Sequence, residues 1–301
     1  MQELLSNAVH AVALLDHRSV EWERVRQSRY WLYQRFHYRY PGHIQELRQR
    51  LMVAPVARYG DQRLCAFHLH VSAPDAVTKM RRDRFGNSVY EVYIPRAEGE
   101  VSFEMRLVVE RDLATVAWPQ LSAAQAQLYR KPTPLTQADV HIRSAALDLA
   151  AAAPDGAALA MAINSWVYEA MSYGSGATTV ETTAAEALAV GQGLCQDYAH
   201  IMLAMCRTAG LPARYVSGHM LGEGGSHAWV EVLLPEGEYY RALAFDPTNH
   251  RRITPSYITV ATGRDYRDVA PTSGTYIAPY AGKLEAHKRA GITHCEYIEQ
   301  P

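Results

Sequence analysis

Between Ser28 and about Glu110 the chain alternates polar and apolar residues in short runs, among them YWLYQRFHYRY, RLCAFHLHVSA, SVYEVYIP and EVSFEMRLVVE. A repeat of two over such runs puts one set of side chains on a buried face, which predicts strands. Asp83-Arg84-Phe85-Gly86-Asn87 separates two runs and supplies the Gly and Asn of a tight connection. This half predicts an antiparallel β-sandwich over 28–118, preceded by a helical segment over 1–27. The pattern lapses after Trp118 in the proline-containing WPQLSAAQAQLYRKPTPL, so 119–137 is expected to be a linker and 138–301 a second domain.

In the second domain the repeat lengthens. Ala145 to Ala162 is rich in alanine, the best helix former, and Pro154 with Gly156 should divide it into two helices. Further on, Leu194, Tyr198, Ile201, Met202 and Met205 recur at helical spacing, and Gly210 and Pro212 end the run. Strand-like segments follow at Ala213–His219, His227–Leu234 and Ala242–Phe245. The expected class is α+β, with a helix packed on an antiparallel sheet.

Composition narrows the functional classes. Hydrophobic residues make up 48% of the 301 and charged residues 20%, the profile of a chain with sizeable cores. Thirty basic residues against 31 acidic ones leave a formal net charge of -1, which provides no field for collecting nucleic acid or an anionic membrane. The basic run Lys79, Arg81, Arg82 and Arg84 is interrupted by Asp83 and reads as a solvated strand end. No apolar run is long enough to span a bilayer, and the first 25 residues lack the form of a signal peptide, so the expected location is cytoplasmic. Four cysteines without paired spacing argue against a disulfide framework.

The chemistry concentrates around one of those cysteines. In Gly191-Gln192-Gly193-Leu194-Cys195 two glycines precede Cys195, which opens the predicted helix. Unpaired N–H groups and the positive end of the helix dipole favour a thiolate there, and the same N–H groups can hold an oxyanion. Cys206 lies three turns further along the same helix and reads as core. Nothing near Cys65 or Cys295 would activate either thiol.

A nucleophilic thiol needs a base, and the base needs an orienting group. Among thirteen histidines, His227 opens a strand straight after a glycine turn, in Gly224-Gly225-Ser226-His227-Ala228-Trp229-Val230-Glu231. Asp246 ends the next strand, where Pro247 stops it, and should lie beside His227 if the two strands pair. His200 points away from Cys195 around the helix, and His219 is at most a supporting residue. A zinc site on Cys195, His219 and His227 is conceivable, but HExxH and paired CxxC spacings are absent, so no metal or cofactor is expected.

The ordered motifs GQGLCQDYAH, GLPARYVSGHM, SHAWVEV and FDPTN resemble the bacterial transglutaminase-like proteins, whose catalytic domain belongs with the papain-like thiol enzymes. The resemblance covers about Tyr168 to Gly274, including GRDYRDVAP, and the β-rich half is similar to the N-terminal region of many bacterial members. It implies an acyl-thioester mechanism on a peptide or amide substrate, with Cys195 as nucleophile, His227 as acid and base, and Asp246 as orienter. It also implies an oxyanion role for the Cys195 N–H, helped by an upstream side chain, for which Tyr173 and then Gln192 are the choices, with Trp229 on the substrate side. No D-x-[DN]-x-[DN]-G loop announces calcium. Hydrolysis of amides is the leading expectation. The alternatives are transfer to an amine acceptor and a non-catalytic binding protein on the same fold.

Overall fold

The computed structural model describes residues 5, 9–116 and 120–298. Most of the expected N-terminal helical segment's first eight residues, and the boundary at 117–119, lie outside the described residues. What is described of that segment is not a long helix: 3-10 turns at His17–Ser19 and Trp22–Arg24 lead directly into the first strand.

The β-rich half is built on two long strands, β1 (Val25–Leu51) and, after β2 (Arg58–Tyr59), β3 (Gln62–Val71) and β4 (Val77–Arg82), β5 (Ser88–Asp112). The short runs expected at SVYEVYIP and EVSFEMRLVVE are thus one strand, antiparallel to β1 from Gln27↔Asp112 to Leu51↔Tyr90. The ladder shifts between Arg39 and His43, around Pro41-Gly42, because proline offers no N–H to it. Phe36, Val101, Phe103 and Met105, before that bend, share a core with Ile44, Leu47, Val92 and Ile94 beyond it. The expected sandwich is therefore one continuous antiparallel sheet folded across itself.

The segment expected to be linker is structured. Helix α1 (Ala123–Arg130) opens with a capping box in which the Ser122 hydroxyl accepts from the Gln125 N–H and the Gln125 side chain accepts from the Ser122 N–H. Leu121 bridges to Tyr240, so this stretch is pinned to the second sheet.

Helices α2 (Val140–Ala152) and α3 (Gly156–Ala170) divide where Pro154 and Gly156 predict. There follow β6 (Ser172–Tyr173), α4 (Ala184–Val190), β7 (Gln192–Gly193) and α5 (Cys195–Thr208). Helix α5 is buried along nearly its whole length, including polar residues such as Asp197, His200 and Arg207, because other helices and the second sheet surround it. That sheet contains β8 (Ala213–Met220), β9 (His227–Glu236), β10 (Tyr239–Asp246), β11 (Arg251–Arg252) and β12 (Tyr257–Gly263), in the order β11-β10-β9-β8-β12. Ala228, Val230 and Val232 join the core that holds α5.

After a short helix α6 (Tyr266–Val269), the chain does not stay with the second domain. Strands β13 (Thr272–Ile277) and β14 (Lys283–Tyr297) return to the first sheet, β14 pairing along β1 from Val25↔Tyr297 to Arg39↔Lys283. The expected 138–301 domain is thus shortened at its C-terminal end. Tyr30, Leu32, Leu107, Val109 and Ile292 of the folded sheet pack with Leu221 and Ile258 of the second one, so the two halves share a core.

Candidate active site

Cys195 is the first residue of α5, and its position depends on the two residues before it and one after. The Asp197 carboxylate turns back to accept from the Leu194 N–H at 2.8 Å and from Thr178 at 2.7 Å. A Cβ on Gly193 would approach that carboxylate to 2.5 Å, so only glycine leaves room for this closure of the first turn. Burial outweighs these hydrogen bonds and pushes the Asp197 carboxyl up. The Cys195 side chain is partly exposed.

His227 opens β9 after the Gly222–Gly225 turn, as the sequence predicts. Its Nε2 lies 2.7 Å from Asp246 Oδ2. Asp246 ends β10, and the register Phe245↔Val230 brings it beside His227. Asp246 is fully buried, yet its carboxylate is fully engaged: Oδ2 also accepts from Asn249 Nδ2 at 2.7 Å and Tyr257 Oη at 2.6 Å, and Oδ1 from the Thr248 and Asn249 N–H groups. Burial pushes its carboxyl up, but the hydrogen bonds and the His227 charge win and hold it below the ordinary carboxylate value. Burial disfavours the His227 imidazolium, but Asp246, together with the adjoining Cys195, lifts it to about 10. The ring thus lies between a carboxylate and the thiol.

Ser172 and Tyr173 pair in parallel with Gln192 and Gly193, which brings Tyr173 beside the glycine two residues before Cys195. Gln192 lies across the following turn, where a Cβ on Gly174 would come within 2.2 Å of its amide nitrogen. Tyr173 is 59% exposed at the rim. Burial, and then the charges of Cys195, Glu223 and Asp246, push its phenol up.

Trp229 is not at the cleft. It is fully buried behind the His227 ring, with centroids 6.3 Å apart, and packs edge-on against Tyr257. Period-two alternation along β9 puts the indole on the same side as His227 but one step deeper. The indole packs against the His227 ring and is not exposed to meet a substrate.

The two other histidines weighed for the site, His200 and His219, are interior. His200 accepts from the Tyr266 N–H at 3.2 Å, and burial keeps it neutral by lowering its value to about 3. His219 is buried, and burial with the nearby Lys288 charge depresses it well below normal. Cys206 is sealed in the core, its thiol pushed up to about 12, and burial also raises Cys65 and Cys295. Among the described residues no group of three or more His, Cys, Asp or Glu is arranged to hold a metal.

Two residues near the sulfur carried no local signal of a role there. Burial, and then the charges of Tyr38 of β1 and Cys195, push the Tyr266 phenol of α6 up, and burial lowers the Lys288 ammonium of β14 against the opposing pull of Glu223 and Cys195. The β-rich half thus reaches the turn before His227, where Lys288 donates to the Gly225 carbonyl.

The chain matches the transglutaminase-like superfamily over residues 143–247 and the bacterial transglutaminase-like N-terminal region over 30–110. An uncharacterised Mycobacterium leprae protein is 39% identical over 130 residues, and an uncharacterised Mycobacterium tuberculosis protein is 38% identical over 120. These alignments take in 40% and 36% of this chain, and they span only 45% and 38% of the two relatives' own lengths. Among solved structures, a candidate cysteine protease from Cytophaga hutchinsonii superposes with a TM-score of 0.73 over 90% of this chain and 93% of that one, at 19% identity. That likeness concerns the fold, and it extends through both halves. The two family matches, which between them take in more than half of the residues, place this chain in the transglutaminase-like superfamily, with the bacterial N-terminal region ahead of its core.

Proposed function

We propose that this chain is a thiol amide-bond hydrolase, a peptidase or amidase, that works through an acyl-thioester on Cys195. The observation that carries the reading is the His227–Asp246 contact of 2.7 Å with Cys195 adjoining the same ring at a helix N-terminus.

In this mechanism the Cys195 sulfur attacks the amide carbonyl carbon while His227 holds the proton. The oxyanion forms against the Cys195 N–H, in the first turn where no intrahelical acceptor is available. His227 then gives its proton to the departing amine, the C–N bond breaks and a thioester remains. Water, losing a proton to His227, attacks the thioester and releases the acid and the thiol. Asp246 keeps the ring oriented and offsets its positive charge throughout. The partial exposure of Cys195 supports hydrolysis over transfer, since water can reach the thioester.

A peptide and amide library read by mass spectrometry tests the reading. Turnover should disappear in Cys195→Ala, with a loss of roughly three orders of magnitude or more. Alkylation should favour Cys195 over the burial-raised Cys65, Cys206 and Cys295. Incorporation of a labelled primary amine in place of water would move the assignment to acyl transfer. Equal labelling of all four thiols together with no turnover would reject the enzyme reading.

A further inference from the structure

Strand β14 presents Lys288, Ala290 and Ile292 opposite Gln34, Leu32 and Tyr30 of β1, on the face turned toward the second sheet. Ala290 and Ile292 belong to the core that includes Leu221 and Ile258, and Lys288 extends this row toward the catalytic turn. Its ammonium donates to the carbonyl oxygen of Gly225, two residues before His227. The contact anchors the β-rich half to the turn that delivers the imidazole. It also brings a cation within electrostatic reach of Cys195 and Glu223.

We propose that Lys288 is a specificity-determining residue of this site, selecting substrates that carry a carboxylate close to the acyl group that Cys195 attacks. The inference rests on the hydrolase reading and deepens it by naming a substrate class. Three features support it. An ammonium has three N–H donors, and the Gly225 carbonyl occupies one. Among the described residues no carboxylate stands within ion-pairing distance of Lys288, and Glu223 acts on it only from further away. Behind it His219, buried and kept neutral, adds no competing charge.

A partly desolvated ammonium without an ion pair is unfavourable, and burial accordingly lowers Lys288 to about 8, so that it is still mostly charged at neutral pH. A ligand carboxylate would supply the missing counter-charge. It would do so within electrostatic reach of the reacting sulfur.

The test uses iodoacetate and iodoacetamide, which share a leaving group and nearly a shape but differ in charge. Each forms an S–C bond with loss of iodide, and peptide mass spectrometry assigns the rate to each cysteine. In the intact chain near neutral pH, the iodoacetate-to-iodoacetamide rate ratio at Cys195 should exceed that at Cys295. Lys288→Met should lower the Cys195 ratio by about tenfold, the effect of one lost charge-assisted hydrogen bond. Lys288→Arg should largely retain the ratio, and Lys288→Gln gives a second neutral variant should Lys288→Met fold poorly. An unchanged ratio in the neutral variants overturns the proposal. So does an equal fall in both rates, which would mean that Lys288 acts only by holding the His227 turn. A wild-type Cys195 that labels no faster than Cys65 or Cys295 with either reagent overturns the nucleophile assignment instead, whatever the ratio.

Discussion

Tyr257 Oη donates a hydrogen bond of 2.6 Å to Asp246 Oδ2, the oxygen that also receives His227. Tyr257 opens β12 at one end of the second sheet, whereas Asp246 ends β10 on the other side of β9 and β8. The carboxylate that meets His227 is thus itself held from across the sheet, with Arg251 Nε donating to the same phenol oxygen at 3.0 Å.

Tyr257→Phe removes that donor while keeping the ring against Trp229. The variant should lose about 1 kcal/mol of stability. If the bond also steadies the base, kcat should fall roughly fivefold with little change in KM. Chemical denaturation and steady-state kinetics on one preparation measure both effects.

The pair of His227 and Asp246 makes stability depend on pH in a definite direction. His227 titrates at about 10 in the folded chain against 6.5 ordinarily, so its contribution is complete below about 6.5 and disappears as pH rises through about 10. Asp246 is lowered from 3.8, so its contribution is present above that value and is lost as pH falls through the depressed one. The stability difference between wild type and Asp246→Asn should therefore be large near pH 6 and small above about pH 10. Histidine NMR should show the His227 value falling steeply in Asp246→Asn, because burial then faces one fewer opposing charge. An unchanged His227 titration would contradict this electrostatic account.

The two halves are also joined by buried charge. Arg214 of β8 donates to Glu231 of β9 at 2.7 Å, and the Tyr59 hydroxyl of β2 donates to the same Glu231 oxygen at 2.5 Å, all within the interior. Arg214→Met should cost about 3–5 kcal/mol by leaving Glu231 buried without its cation. Adding Glu231→Leu should recover much of the loss, since the uncompensated charge is then gone. Denaturant melts of the single and double variants would measure this.

Gly218 of β8 gives a steric test. A Cβ there would approach the Ile258 carbonyl to 2.1 Å and the Trp229 ring to 2.5 Å. Backbone and a buried indole cannot both yield, so Gly218→Ala should destabilise by about 1–3 kcal/mol or more. Because Trp229 lies behind His227, activity should fall even where the variant remains folded. A thermal melt unchanged from wild type would contradict the packing described.

Much of the site was legible in the chain because its signals are local. Glycines ahead of Cys195, helical spacing after it, a glycine turn before His227 and a proline after Asp246 each act within a few residues of the group they position. Strand order did the remainder, since consecutive strands β9 and β10 pair as a hairpin and bring His227 to Asp246. The core position of Cys206 follows from the same local logic.

What local pattern did not determine was which sheet a strand joins and how deep a side chain lies within it. The alternation in KLEAHKRAGITHCEY is equally compatible with either sheet, and only its pairing along β1 carries Lys288 to the Gly225 carbonyl two residues before His227. Trp229 has the same repeat position as His227, and only the stacking of Tyr257 and β8 around it decides that the indole is buried. Backbone pairing energies are nearly the same for any partner strand, so such choices are made by contacts distant in sequence. The chain alone thus determined the order and local setting of Cys195, His227 and Asp246, while tertiary structure decided which neighbours surround them.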